Sequence, residues 1–230
     1  MMPTDTARAF VFDRTRQAAP QIADFLREQI LSLEIAPGTT MSRAELQVQF
    51  GVSQTPVRDA LLKLEEEGLV TVYPQYATLV SKVNLAQAKQ AHFMRRALEA
   101  DIVALLATRP TPAMVNDLRK ANARVKAEAQ AQDLTAFLVA DRDFHRLLYH
   151  YADMMQVFAV MRAHSGHLDR LRRLNIKNVG TERIIRQHEE MIDAIEAGKP
   201  EEANAKLREH LANTLATLEQ VAADYPAFVE

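Results

Sequence analysis

From Asn84 onward the chain repeats one pattern. Apolar residues recur at helical spacing, and no stretch alternates as a half-buried strand does. The pattern is broken only at Arg109-Pro110-Thr111-Pro112, Gln132-Asp133, Ala152-Asp153, Asn178-Val179-Gly180 and Gly198-Lys199-Pro200. These breaks predict six helices, over 85–108, 112–131, 134–151, 154–174, 181–197 and 200–223. Helices joined by such short turns must pack as an antiparallel bundle. With only 6 glycines and no tryptophan in 230 residues, the composition favours helix over a β-sandwich or barrel.

The first eighty residues read differently. Ile22, Phe25, Leu26, Ile30 and Leu33 form a one-faced helix stopped by Pro37-Gly38. Ser42 is placed to cap a short helix ending at Gly51, and Ser53 to cap a third, with Pro56 in its first turn. Val57, Ala60, Leu61 and Leu64 form that helix's apolar face, and Gly68 ends it. Leu69–Tyr73 and Thr78–Val80 are β-prone runs around Pro74-Gln75-Tyr76-Ala77, which predicts a hairpin. Helix, helix, turn, helix, hairpin is the order of a winged helix-turn-helix. The expected fold is therefore mainly α, with a winged helix-turn-helix over 15–82 and an all-α antiparallel bundle over 84–223. Residues 1 to about 14 read as a loose arm.

A helix that enters a DNA groove needs polar, reaching side chains at its N-terminal outer face and apolar ones beneath. Ser53, Gln54, Thr55 and Arg58 meet that requirement. Gln and Arg can bond adenine and guanine edges bidentately, and Ser or Thr a phosphate. Arg43 starts the preceding helix, and Gln75 and Tyr76 sit at the hairpin tip, toward the flanking groove. Charge argues the other way. Lys and Arg number 8 over residues 1–82 against 10 Asp and Glu, although Glu65, Glu66 and Glu67 cluster at the far end of the third helix. A protein-interaction module without DNA affinity stays open on these residues alone.

Residues 36–70 resemble the N-terminal domain of the GntR-family transcriptional regulators, most strongly over Gly51–Leu61, Leu64 and Glu67–Val70. The resemblance implies that Arg58 occupies a DNA-contacting position. A basic residue is usual in the family where this chain has Gln54 and often where it has Ala44, and the wing glycine is replaced by Ala77. Those departures imply a shifted base preference at a double-stranded operator.

All seven histidines follow residue 91. His92, His150, His164 and His167 lack partners at ligand-like spacing and are expected to pack or face solvent. Asp141 and His145 lie four apart on one predicted helix, so both project from one face. His188 and His210 lie on two further helices among Met191, Ile192 and Ile195, and Leu207, Leu211 and Leu215. An inward-facing imidazole needs a partner. Four such groups meeting at one divalent cation would satisfy all of them; separately hydrogen-bonded core histidines are the alternative that spacing leaves open.

Asp141–Arg146, His188–Ile195, Ala203 and His210-Leu211, with Arg95–Glu99 near the start of the unit, resemble the C-terminal ligand-binding (FCD) domain of the FadR-type branch of GntR regulators. The resemblance implies that Asp141, His145, His188 and His210 hold a divalent transition metal of the Zn, Ni or Mn class. The count of six helices is similar to the VanR subgroup.

The expected protein is thus no enzyme but a cytoplasmic, homodimeric regulator, most simply a repressor. Its grip on operator DNA would respond to a small carboxylate effector and to the metal. Arg95 would meet the effector. Arg170, Arg172 and Arg173 would assist or form a solvated face. The signal would travel through the junction at Ser81–Leu85. Competing readings are a metal-dependent bundle enzyme, which leaves the Gly51–Val70 block unexplained, and a pure metal sensor. The absence of cysteine removes thiolate metal sites and disulfides. No apolar run approaches the ~18 residues that would span a membrane.

Overall fold

The computed structural model describes residues 10–73, 77–212, 214–215 and 218–230, with the backbone alone for 177–179. The chain forms two compact units, Met1–Lys82 and Val83–Glu230.

The first unit runs α1 (Ala18–Leu31), β1 (Thr40–Met41), α2 (Arg43–Phe50), α3 (Gln54–Glu66), β2 (Val70–Tyr73) and β3 (Ala77–Val80). Its three-stranded sheet has the order β1-β3-β2, antiparallel throughout. The predicted hairpin is present, but β1 escapes sequence reading because two residues carry no periodicity. The turn residues Pro74, Gln75 and Tyr76 lie outside the described residues. Ser42 caps α2 through Glu45 N–H, and Gly51 closes that helix at φ 63, where a Cβ would be strained. Ser53 stands at the N-cap of α3 without a side-chain cap bond, a departure from the capping expected of it.

Ile22, Leu26 and Ile30 of α1 and Val57, Leu61 and Leu64 of α3 form the core of this unit. The arm is not loose from Phe10 on. Phe10 and Phe12 join Phe25 and Phe50 in edge-to-face contact, with centroids 4.7 to 6.5 Å apart. Two of the acids that made this half look unsuited to DNA are structural. Glu67 takes a bidentate pair from Arg27 at 2.6 and 2.7 Å, tying the end of α3 to α1. Glu65 accepts Val72 N–H at 2.8 Å, joining α3 to β2.

The second unit comprises α4 (Leu85–Ala107), α5 (Pro112–Gln130), α6 (Leu134–Tyr151), α7 (Met155–Ala163), α8 (Gly166–Val179), α9 (Thr181–Glu196), α10 (Pro200–Ala212) and α11 (Leu218–Asp224). That is eight helices among the described residues, so the six-helix count similar to the VanR subgroup does not hold. The predicted helix 154–174 is divided at His164-Ser165, where Ser165 Oγ donates to the Met161 carbonyl at 2.7 Å and closes the turn. Past that break α8 runs on to Val179, beyond the predicted end. The predicted helix 200–223 is divided after Ala212 by a turn through Thr214 and Leu215. The core runs through Val103, Leu106, Leu118, Phe144, Leu148, Met191, Ile192, Ile195 and Leu207. Val83 pairs in parallel with Val229 beyond the expected end of the bundle, exchanging backbone bonds with Phe228 and Glu230 at 2.8 and 3.0 Å.

Glu67→Ala should lower the unfolding free energy of the first unit by about 1–3 kcal/mol, because it leaves the Arg27 guanidinium poorly paired. Urea unfolding followed on that unit reads the change, and a midpoint equal to wild type would contradict it.

Candidate functional site

In the first unit the N-terminal turn of α3 presents Ser53, Gln54, Thr55 and Arg58 to solvent over buried Val57, Ala60, Leu61 and Leu64. Among the described residues, Arg58 makes a surface contact to Asp59 at 3.3 Å. Arg43 opens α2 and is half-buried. Gln75 and Tyr76 lie outside the described residues.

In the second unit, four side chains from three helices converge. Asp141 and His145 come from one face of α6, His188 from α9 and His210 from α10, all buried. One ligand atom from each lies within 4.8 Å of the other three. His145 Nε2 and His210 Nε2 are 3.3 Å apart, and His188 Nε2 is 3.5 Å from Asp141 Oδ1. A tetrahedral ion with bonds of about 2.0–2.1 Å separates its ligands by about 3.3 Å. His188 stacks on Phe144 with centroids 4.0 Å apart, which holds its ring plane.

Outer residues set which nitrogens face inward. The Asn122 amide donates to the Ile185 carbonyl and to Glu189, each at 3.1 Å, so its oxygen is left to accept His188 Nδ1–H at 3.1 Å. Glu99 Oε2 lies 2.9 Å from His145 Nδ1, while His145 Nε2 faces His210. In His188 Nε2 is therefore the lone-pair nitrogen. Asp141 Oδ2 accepts from Arg172 Nη2, leaving Oδ1 for the centre. Asp141 Oδ1 and His188 Nε2, both fully buried, have no hydrogen-bond partner. Each such orphan costs roughly 1–3 kcal/mol, and one cation among the four groups would satisfy both.

Burial pushes His188 down to about 3 and His210 well below its usual range, so both rings are neutral donors. Burial opposes the charge on Asp141, but the Arg172 guanidinium holds its carboxyl well below the usual range. Glu99 likewise overcomes burial through Arg95 and His145, reaching about 2.

Arg95 is buried, and its Nε donates to Glu99 at 2.9 Å. Together with Arg172, Asn175 and His210 it lines a cavity of about 20 Å³ beside the cluster. A larger groove of about 820 Å³ runs between α5 and α9, with Asn122 on its wall, but it holds none of the four ligand candidates. The arginine run is split: Arg170 is fully buried, while Arg172 and Arg173 are half-buried and bond Asp141 and Thr135. His92 and His167 are buried packing residues, in line with the role expected of them. Sequence reasoning missed Glu99 as a support of His145, Asn122 as the support of His188 and Arg172 as the support of Asp141. Only Glu99 carried a signal, four residues after Arg95 on one helix face.

A winged unit with a polar, solvent-facing helix start, joined in sequence to a helical unit, is the arrangement of a DNA-binding transcriptional regulator. The comparisons agree. Residues 18–80 match the description "Bacterial regulatory proteins, gntR family" and residues 90–213 match "FCD domain". The chain belongs to the GntR family of transcriptional regulators, with a C-terminal FCD domain. It is 37% identical over 202 residues to an uncharacterized HTH-type transcriptional regulator in an unstable DNA locus of Streptomyces ambofaciens, covering 87% of this chain and 85% of the relative. It is 29% identical to the HTH-type transcriptional repressor RspR of Escherichia coli, covering 90% and 91%. The solved structure of E. coli McbR/YncC shares the fold, with a TM-score of 0.76 at 23% identity over 89% of this chain and 98% of that one. These relatives are regulators and not enzymes. No described helix is long and apolar enough to cross a membrane.

Burial holds His92 and His167 each at about 4, with nearby arginines assisting. The unfolded chain binds these protons near 6.5, so stability falls as pH drops from about 6.5 toward 4, by up to about 1.4 kcal/mol per pH unit for each group. Urea unfolding at pH 7.5 and pH 5 in chelator measures the loss, and equal stability at both would refute it.

Proposed function

We propose that this regulator is a homodimeric repressor of the cytoplasm whose hold on operator DNA is set by a divalent metal and a small carboxylate in the FCD domain. The observation that carries the reading is the convergence of Asp141, His145, His188 and His210, all buried, in which Asp141 Oδ1 and His188 Nε2 lack hydrogen-bond partners. Three imidazoles and one carboxylate suit Zn, Ni or Mn. The four side chains would hold the ion, and an ion that takes more than four ligands would supply a further coordination position for an anionic ligand.

Arg95 and Arg172 line the adjoining cavity and supply guanidinium groups for the ligand's carboxylate. A cavity of about 20 Å³ holds about one water, so the carboxylate must open it on binding. That differential packing is what gives an effector leverage over the DNA-binding equilibrium. Ser53, Gln54, Thr55 and Arg58, with Arg43, would read base edges and phosphates; Gln75 and Tyr76 are assigned to the flanking groove. Two reading helices related by symmetry match a pseudo-palindromic site.

A gel shift on the DNA upstream of the protein's own gene, at low salt, tests the function. Complex formation that changes with chelator, with Zn²⁺ and with a panel of small carboxylates is the expected result, and no complex under any condition refutes it. Arg58→Ala should abolish sequence-specific retardation while leaving the metal content of the protein intact. His188→Ala should lose stoichiometric metal with the helical circular dichroism unchanged; retained metal would return the histidines to a packing role. Glu99→Gln and Asn122→Leu should each weaken metal affinity by roughly 10- to 100-fold, read by competition with a chromophoric chelator.

A further inference from the structure

We infer that α8 is a lever: one of its faces is bolted to the metal-ligand candidate Asp141, and another holds the residues at which the sensing unit begins. The inference deepens the proposed function, because it rests on Asp141 being a ligand of the ion.

At the inner grip, Arg172 donates to Asp141 Oδ2 while Oδ1 of the same carboxylate faces the three histidines. Any change in what Oδ1 binds alters the charge and position of the group that Arg172 holds. Asn175 and Ile176, on the next turn of α8, line the cavity beside His210. An incoming anion would therefore meet α8 directly and compete with Asp141 for Arg172.

At the other grip, His167 Nδ1 accepts the backbone N–H of Asn84 at 3.0 Å, and Arg170 Nη2 lies 3.1 Å from the same nitrogen. Accepting at Nδ1 requires an unprotonated nitrogen there, so the proton of the ring sits on Nε2. Asn84 is the N-cap of α4, its side chain accepting Gln87 N–H. Its neighbours are held from the opposite strand, since Val83 and Glu230 bond each other and Leu85 N–H reaches the Glu230 carbonyl at 3.2 Å. The first residues of the unit are thus fixed by backbone pairing on one side and by one α8 histidine on the other.

His167 and Arg172 are five residues apart, about 7.5 Å along the axis and about 140° around it. A helix transmits displacement over that distance without absorbing it. A shift of α8 that follows Arg172 must move the acceptor of Asn84, and Lys82 directly precedes that junction as the last residue of the reading unit. Small shifts of packed helices are a recognised means of passing a ligand signal between sites.

The test is hydrogen–deuterium exchange on the full chain, with zinc and after chelation, with zinc stoichiometry measured on the same samples. Zinc is expected to change amide exchange over residues 83–88 by roughly fivefold or more. His167→Leu should bind zinc as wild type does, keep the exchange response of α6 and α9, and lose the response at 83–88. His167→Gln, which restores an acceptor, should recover it. Arg172→Met should lose the 83–88 response from the other grip. It carries the test if the Leu variant fails to fold. A junction response that survives in His167→Leu or Arg172→Met overturns the lever. Bound zinc with no junction response in wild type also overturns it and leaves the metal site standing. No bound zinc in wild type overturns both.

Discussion

The second unit is organised around one difficulty, a carboxylate kept ionised where water does not reach. Asp141 is fully buried, and burial alone would neutralise it. Arg172 supplies the compensating charge at one oxygen, and three imidazoles gather at the other. The same dryness that threatens the carboxylate prepares its neighbours. It strips the proton from His188 and His210 and leaves them as the neutral donors a metal needs. The supporting shell repeats the logic, with Arg95 charging Glu99, Glu99 orienting His145, and Asn122 orienting His188. Six helices contribute to this one assembly, which makes it the part of the bundle least able to change piecemeal.

The reading unit solves an electrostatic problem by position instead of by net charge. Its acids outnumber its bases, yet Glu67 is consumed by Arg27 and Glu65 by a strand amide, both remote from Ser53 and Gln54. The exposed polar start of α3 thus carries none of these paired acids, whatever the sum over the domain.

Much of this is legible in the sequence alone. The change of periodicity near residue 83, the capping of α2, the hairpin and the pairing of Asp141 with His145 all follow from local spacing. Local spacing is also where legibility stops. The break at His164-Ser165 is made by a side-chain bond back to Met161, with no proline to announce it. Strand β1 exists only because β3 offers it a partner. Arg172 reads in sequence as one of a run of surface arginines, and only the packing of α8 turns it toward Asp141. Asn122 lies 66 residues from the histidine it holds, a distance that no single-helix pattern spans. Candidate ligands four apart on one helix announce themselves, while the groups that orient them arrive from other helices and do not.

The parallel pairing of Val83 with Val229 gives the helical unit a further property. Its first residue and its last paired residue lie side by side, as in a loop whose ends are knotted together. The two ends of the unit therefore fray together or not at all, since opening one removes the backbone partners of the other.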